Sequence, residues 1–266
     1  MLRHYPLLVY ALLSLPAVAA QSKPESVQVT PPLIRRAEPP SPTDSRGQLE
    51  QRGDELRAEK AYLDALDYYR AALAKGQSDA GLLNKCAITE LLLQRFRESK
   101  KEFERATHLN PQFGDAYNNL GVVFYLERKY QNAVKEYEKA IKISPDSASY
   151  YSNLGAAYFS KKDFVKATLA YNRAVQLDPT VFEHSSHVGV AAQMSSPEDR
   201  AHFEYVLAKL FAKQGDSDRS LLYLKRALEE GYKGIDDVYK DQEFEHLRSD
   251  VRFTQLMATR PPAIPE

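Results

Sequence analysis

The sequence predicts an all-α solenoid, in which helical hairpins of equal length stack side by side. A stretch of 34 residues is written twice between residues 114 and 179, and apolar residues recur at helical spacing within each copy. A proline closes each copy, at Pro145 and Pro179, where it cannot continue a helix. One hairpin cannot bury its apolar face alone, so neighbouring units must stack.

The two copies agree at eight positions. Four of them fall at i, i+3, i+4 and i+7, on one face of a first helix, and three fall at i, i+4 and i+7 on a second helix. Small residues allow the two helices to approach, and aromatic residues fill the space beside them. The first copy has Tyr117, Leu120, Gly121, Phe124, Ala133, Tyr137, Ala140 and Pro145, and the second has Tyr151, Leu154, Gly155, Tyr158, Ala167, Tyr171, Ala174 and Pro179.

This pattern resembles the tetratricopeptide repeat, a helix–turn–helix unit of 34 residues. The resemblance implies a right-handed α-solenoid with an inner groove lined mainly by first helices. It divides the chain into four contiguous units, 46–79, 80–113, 114–147 and 148–181, and an offset fifth unit, 201–234. The residues that mark the repeat are Gly53, Ala87, Gly121, Gly155 and Ala208 at unit position 8, and Pro111, Pro145 and Pro179 after the second helix.

Three stretches depart from the pattern. Arg52 stands where leucine is usual in the first unit, and Glu90 takes the usual aromatic position of the second. Residues 182–200 lose a second helix, so they form either a degenerate repeat or a loop. Ser196 and Pro197 then indicate a new helix start, since Glu198 and Asp199 are favourable in a first turn.

The N-terminal residues predict export. Residues 1–20 combine the basic Arg3, an apolar run from 6 to 15 and small residues from 17 to 20, as in a signal peptide cleaved before Gln21. The apolar run is short for a membrane span, although an uncleaved anchor is the alternative. Periplasmic or secreted localisation follows, with no membrane insertion after cleavage. Together with the family resemblance, the signal peptide places the protein in the bacterial cell envelope.

Residues 21–45 contain six prolines and little apolar periodicity, which predicts a disordered or extended linker, or a ligand for an aromatic groove. Residues 235–260 are expected to form a C-terminal helical cap over the last unit. Within them, Phe244 to Met257 resembles the FxxLRxDxRFxxLM segment that closes many bacterial tetratricopeptide proteins. Asp241 and Asp250 are predicted N-caps, and 261–266 is a predicted disordered tail.

The resemblance also implies a groove that binds peptide through the first helices. Unit positions 5, 6 and 12 place a row of amides beside an apolar and aromatic strip. Amides both donate to and accept from a peptide backbone, and buried aromatic area adds affinity. The predicted groove residues are Asn84, Lys85, Asn118, Asn119, Tyr125, Asn153 and Phe159. Lys85 with Asn84 matches only part of the basic clamp that some family members use for a terminal carboxylate. The asparagines could also serve local hydrogen bonding, and Tyr125 and Phe159 could pack on neighbouring units.

The predicted function is non-catalytic binding of another protein or a peptide segment. Charge is balanced, with 36 basic and 36 acidic residues, so no nucleic-acid partner is indicated. The single cysteine, Cys86, falls at a core position, and no phosphate-loop or hydrolase motif occurs. His184 and His187 lack companions for a metal site, and no cofactor is expected. The alternatives are an adaptor subunit that uses its convex face or ends and, more remotely, an unrecognised enzyme.

Overall fold

The described residues form eleven α-helices and two 3₁₀ helices, with no β-strand among them. The computed structural model describes residues 35–76, 79–182 and 196–260. Ten of the α-helices pair as five antiparallel hairpins, which confirms the predicted all-α solenoid. In chain order the pairs are α1 (Arg46–Ala58) and α2 (Tyr62–Ala74), α3 (Ala80–Leu92) and α4 (Phe96–Leu109), α5 (Gly114–Leu126) and α6 (Tyr130–Ile143), α7 (Ala148–Ser160) and α8 (Phe164–Leu177), and α9 (Pro197–Lys213) and α10 (Ser217–Glu229).

The same backbone turn joins the two helices of every hairpin. At unit position 15 the backbone is left-handed, with φ of 60° at Lys60, 59° at Gln94, 60° at Arg128, 61° at Lys162 and 79° at Gly215. The next amide donates to the carbonyl five residues earlier, at distances between 2.8 and 3.0 Å. This is a Schellman-type cap, which satisfies a carbonyl that the helix end would otherwise leave unpaired. Each hairpin therefore has the same geometry at its closed end.

Three hairpins depend on a glycine that faces a buried tyrosine. A Cβ atom added to Gly53, Gly121 or Gly155 would lie 2.6, 2.5 or 2.4 Å from the ring of Tyr69, Tyr137 or Tyr171, respectively. Each of these tyrosines has no exposed surface. Unit position 8 must therefore lack a side chain wherever unit position 24 is tyrosine, because the ring occupies that space.

In the other two hairpins, different residues occupy the positions of this contact. Ala87 and Ala208 replace glycine, and the facing residues are the smaller Phe103 and Leu224. Ser99 and Ser220 replace the alanine found at unit position 20 elsewhere, and their hydroxyls donate to the carbonyls of Ala87 and Ala208 at 2.8 Å. The chain thus carries two alternative core sets, one with glycine, alanine and tyrosine and one with alanine, serine and phenylalanine or leucine.

Part of the predicted N-terminal linker lies against α2. The carboxylate of Asp64, 3% exposed, accepts the Arg36 N–H at 3.0 Å and the Ala37 N–H at 3.1 Å. Arg35 pairs with Asp67, and the Tyr68 hydroxyl donates to the Glu38 carbonyl at 3.1 Å. Within the predicted linker over 21–45, residues 35–38 thus form an extended segment whose backbone groups are satisfied by polar side chains on α2.

The fifth hairpin begins at Pro197, four residues before the predicted unit boundary at 201. Ser196 caps α9 by accepting the Asp199 N–H at 3.1 Å. The hairpin joins the fourth through aromatic contacts, in which Phe203 lies 5.3 Å from Tyr171 and 6.2 Å from Phe159 between ring centroids. The adjacent residues 183–195, including His184 and His187, lie outside the described part of the chain.

The C-terminal residues cover the last hairpin. Two 3₁₀ helices, Ile235–Tyr239 and Gln242–Ser249, precede α11 (Val251–Thr259). Four residues of the closing segment are buried in one cluster with α9 and α10, namely Phe244, Leu247, Phe253 and Met257. Its kinship with the closing segments of bacterial repeat proteins stays a prediction.

The two predicted aspartate caps differ in their contacts. Asp250 caps α11 by accepting the Arg252 N–H at 2.8 Å. Asp241 precedes a 3₁₀ helix, but its side chain makes no capping bond. It accepts from the Tyr205 hydroxyl at 2.7 Å and pairs with Lys209 at 2.9 Å, so it anchors the C-terminal segment to α9.

Glu204 on α9 occupies unit position 4, where the third and fourth units have Tyr117 and Tyr151. Its Oε2 atom is buried without a hydrogen-bond partner in the described part of the chain. Burial raises the pKa of Glu204 to about 7; nearby Glu230 raises it further and Arg226 lowers it. The fold therefore favours the protonated carboxyl group.

We expect Glu204→Gln to stabilise the protein at neutral and higher pH. Since the folded pKa lies above the ordinary value, Glu204 destabilises the fold progressively as pH rises from about 4.5 to about 7, and the effect is complete above that. The variant should match the parent closely at about pH 4.5 and exceed it by about 3 kcal/mol at about pH 8. Urea unfolding at both pH values measures this difference. His202, whose pKa is lowered by burial, is present in both proteins and cancels. A pH-independent difference would contradict the assignment.

The predicted signal peptide (1–20), residues 21–34 of the linker and the tail (261–266) lie outside the described residues. Within the described ranges, no helix combines the length and apolar character needed to cross a bilayer.

Candidate peptide-binding groove

Four asparagines from three successive first helices form a continuous chain of amide hydrogen bonds. The side-chain N–H of Asn153 on α7 donates to Asn118 on α5 at 2.9 Å. Asn118 donates to its neighbour Asn119 at 3.2 Å, and Asn119 donates to Asn84 on α3 at 3.1 Å. We call these four residues the amide ladder. The structure thus brings together the four asparagines that the sequence placed in the groove.

The bonds of the ladder join different positions of neighbouring units, a pairing that the repeat pattern alone did not predict. Each bond between units joins position 6 of one unit to position 5 of the unit before it, a separation of 35 residues. Lys85 and Glu50 occupy the same two positions at the first junction and pair at 2.8 Å. The sequence carries a signal for this pairing, because adjacent polar residues recur at positions 5 and 6 of successive units.

The ladder leaves hydrogen-bonding capacity for a ligand. A primary amide has two N–H donors and an oxygen with two lone pairs, and each ladder bond uses one donor and one lone pair. Asn84 and Asn118 are buried, at 9% and 8% exposure, whereas Asn119 and Asn153 are half-buried. Asn119 and Asn153 are therefore the amides best placed to contact a bound backbone.

Lys85 is held by two carboxylates. Its Nζ donates to Glu50 at 2.8 Å and to Asp54 at 2.6 Å. Burial opposes the charged form, but the bonds to Asp54 and Glu50 prevail and raise the pKa of Lys85. Asp54 also accepts from Tyr69 at 2.7 Å, and its own pKa is lowered by these bonds against the opposing effect of burial. Lys85 therefore serves as a link between α1 and α3, and its charge is neutralised.

The predicted aromatic strip is wrong for Tyr125 and Phe159, which are 5% and 1% exposed. The Tyr125 hydroxyl lies 2.9 Å from Ser160 Oγ, and the Tyr125 ring is 5.2 Å from that of Tyr130. The Phe159 ring contacts Phe164 and His202 of the neighbouring elements. Both side chains fill the junctions between hairpins, so they stabilise the solenoid and cannot line an open groove.

Sequence reasoning also missed a second polar link between first helices. The Tyr150 hydroxyl donates to Asp115 at 2.6 Å, across the same 35-residue separation as the ladder. Burial and this bond raise the pKa of Tyr150, so the hydroxyl keeps its proton at neutral pH.

Cys86 is 2% exposed and burial raises its pKa to about 12, so its thiol also stays neutral. In the described ranges, no three His, Cys, Asp or Glu side chains are grouped so as to hold a metal ion.

Comparison with solved structures identifies the class of fold. The pilF protein of Pseudomonas aeruginosa superposes with a TM-score of 0.52 at 18% identity, covering 77% of this chain and 82% of that one. A MamA fragment from Desulfovibrio magneticus RS-1 gives 0.51 at 18%, covering 70% and 95%, and another MamA structure gives 0.50 at 19%, covering 74% and 95%. These likenesses indicate a shared helical solenoid.

The repeats themselves are recognised in the middle of the chain. The family described as "TPR repeat" matches residues 128–162, and the family described as "Tetratricopeptide repeat" matches residues 148–181. No curated protein sequence matches the chain. Residues 128–181 therefore contain tetratricopeptide repeats, and this repeat class provides scaffolds for protein interaction.

Proposed function

We propose that the protein binds an extended segment of a partner protein along its first helices, with the amide ladder as the recognition element. The observation that supports this proposal is the continuous ladder from Asn153 to Asn84. Its internal bonds fix the amides in place, so little side-chain entropy is lost when a ligand binds. The half-buried Asn119 and Asn153 then offer donors and acceptors to a backbone of any sequence.

The segment does not need to carry a free C-terminus. A terminal carboxylate requires an available cation, and the only lysine among the predicted groove residues already pairs with Glu50 and Asp54. Internal segments should therefore bind as well as C-terminal ones. This preference distinguishes ladder recognition from a carboxylate clamp.

The proposed place of action is the bacterial envelope. The basis is the N-terminal sequence, in which the apolar run is followed by small residues up to Ala20. N-terminal sequencing of the protein from fractionated cells tests this proposal, and we expect Gln21 as the first residue of an exported form. A cytoplasmic protein that retains Met1 would contradict it.

The groove is tested with random peptides displayed on phage as interior segments, selected against the full chain. We expect enriched peptides to bind the parent and to lose at least about tenfold in affinity with Asn119→Ala/Asn153→Ala, since each lost bond contributes about 1 kcal/mol. Asn132→Ala, an exposed asparagine on α6, is the matched control and should bind as the parent does.

Thermal unfolding of the ladder variant separates lost recognition from lost structure. A variant that melts like the parent but no longer binds supports the groove. Equal binding by parent and ladder variant, or no enriched peptide, would contradict groove recognition. The adaptor alternative, in which the convex face or the ends hold a folded partner, would then take its place.

A further inference from the structure

The outer face of α8 is apolar where those of α4 and α6 are polar. Val165 and Leu169 lie one turn apart and are 74% and 65% exposed. Their counterparts one unit earlier, on α6, are Gln131 and Lys135, and those two units earlier, on α4, are Arg97 and Lys101. Exposure of two adjacent large apolar residues is unfavourable in water. The solenoid packing does not explain them, because neither is buried by a described neighbour.

A shallow cavity lies beside this pair, between α7 and α8. Its volume is about 250 Å³, and Tyr151, Tyr158, Leu169 and Ala170 contribute to its walls. Tyr158 is half-buried, and its hydroxyl donates to Glu138 on α6 at 2.9 Å. Val165, Leu169 and this cavity form a continuous apolar surface, which we call the α8 face.

The rim of the α8 face is basic. The ammonium groups of Lys161 and Lys166 lie 5.7 and 5.4 Å from the centre of the Tyr158 ring, and the Arg173 guanidinium lies 5.9 Å from that of Tyr151. From Phe164 to Leu177 the helix has no acidic residue. Asp163 caps the helix and pairs with Lys166 at 3.2 Å. Three cations, Lys161, Lys166 and Arg173, thus stand against the two carboxylates of Asp163 and Glu138, so the charge around the α8 face is positive on balance and complements an acidic ligand.

The equivalent face of α2 is already occupied by an extended segment of the chain itself. Leu63, Asp64 and Asp67 lie three periods of 34 residues before Val165, Lys166 and Leu169. There, residues 35–38 lie along the helix: Asp64 accepts two backbone N–H groups, and Leu63 is only 9% exposed. This fold thus accommodates an extended segment on the outer face of a second helix.

The differences between the two faces indicate the chemistry of the occupant. Lys166 replaces Asp64, so a donor of hydrogen bonds stands where α2 has an acceptor. Leu169 replaces Asp67, whose partner is Arg35, so an apolar residue is favoured where the α2 segment has a cation. We propose that the α8 face is a second docking surface, which binds an extended acidic and apolar segment of a partner protein, independently of the groove.

The test uses the full chain and a library of nine-residue peptides in which glutamate alternates with randomised apolar residues. Enriched peptides are compared with versions that carry lysine in place of each glutamate. We expect the glutamate peptides to bind the parent, and Val165→Gln/Leu169→Lys, which copies the α6 residues, to weaken binding at least about tenfold. The lysine peptides should bind poorly, because their charges repel the basic rim.

Two controls make the result specific. Leu222→Lys, which changes an apolar residue of α10 that is 43% exposed, should bind as the parent does. Asn119→Ala/Asn153→Ala should also bind as the parent does, which separates this proposal from the groove proposal. No enrichment, equal binding of lysine peptides, or unchanged binding by the α8 variant would overturn it. Self-association of the parent that the α8 variant abolishes would identify a second copy as the occupant and overturn it too.

Discussion

Gly121→Ala is expected to destabilise the protein by about 2–3 kcal/mol, because overpacking a well-filled core costs about this much. The new methyl group would lie 2.5 Å from the ring of Tyr137, which is fully buried and cannot move aside. Chemical unfolding followed by circular dichroism measures the loss. A variant as stable as the parent would show that the two helices can separate without cost.

The second core set offers a rescue. Gly121→Ala/Ala133→Ser/Tyr137→Phe reproduces in the third hairpin the Ala87, Ser99 and Phe103 set of the second. Phenylalanine keeps the ring carbons that face residue 121 but lacks the buried hydroxyl, which leaves space for the ring to shift away from the new methyl group. The serine should donate to the carbonyl of residue 121 as Ser99 donates to Ala87 at 2.8 Å. We expect the triple variant to recover most of the stability lost in the single one. A triple variant that stays as unstable as Gly121→Ala would mean that a core set cannot be transferred from one hairpin to another.

Removal of both arginines that face Glu90 is expected to cost about 2–3 kcal/mol, since a buried carboxylate left without a partner is strongly destabilising. Glu90 is 1% exposed and pairs with Arg70 of α2 and Arg95 at the start of α4. The arginines are partly exposed, so water compensates in part for their loss. Arg70→Ala/Arg95→Ala, measured by urea unfolding near neutral pH, tests this expectation.

Adding Glu90→Phe to the Arg70→Ala/Arg95→Ala variant distinguishes the loss of charge pairing from the loss of packing. Phe124 and Phe211 occupy the same unit position in other hairpins, so phenylalanine is compatible with the site. Replacing a buried ion pair by apolar residues is often neutral or stabilising, and we therefore expect the triple variant to regain the parent's stability. If it stays as unstable as the double variant, the arginines contribute through packing of their alkyl stems.

The hairpins were predictable because their signal is local. Gly121, Tyr137 and Pro145 recur with the period, and Gly121 and Tyr137 face each other within one hairpin. Segment 35–45 was not predictable in the same way. Its partners are about one unit away in sequence: Asp64 bonds to backbone groups and Asp67 to the Arg35 guanidinium, so no apolar periodicity indicates the contact.

The positions of the candidate groove residues were predictable only in part. Asn84, Asn118, Asn119 and Asn153 do lie together, because repeats place equal positions on one surface. Tyr125 and Phe159 fall on the same helices, yet the junction between hairpins buries them. Helical periodicity shows that a residue points away from the core of its own hairpin. It does not show whether that side of the helix is exposed to solvent or packed against the next hairpin.

The diagonal pairing of unit positions 5 and 6 makes the third unit compatible with copies of itself. It carries both halves of the link, Asn118 for the unit that follows and Asn119 for the unit before. A duplicated third unit would therefore extend the ladder without any other change. The first junction, where Glu50 meets Lys85, is an ion pair instead of a pair of amides and marks one boundary of the series. The length of the amide ladder can thus evolve in whole steps, by repetition of a single stretch of the gene.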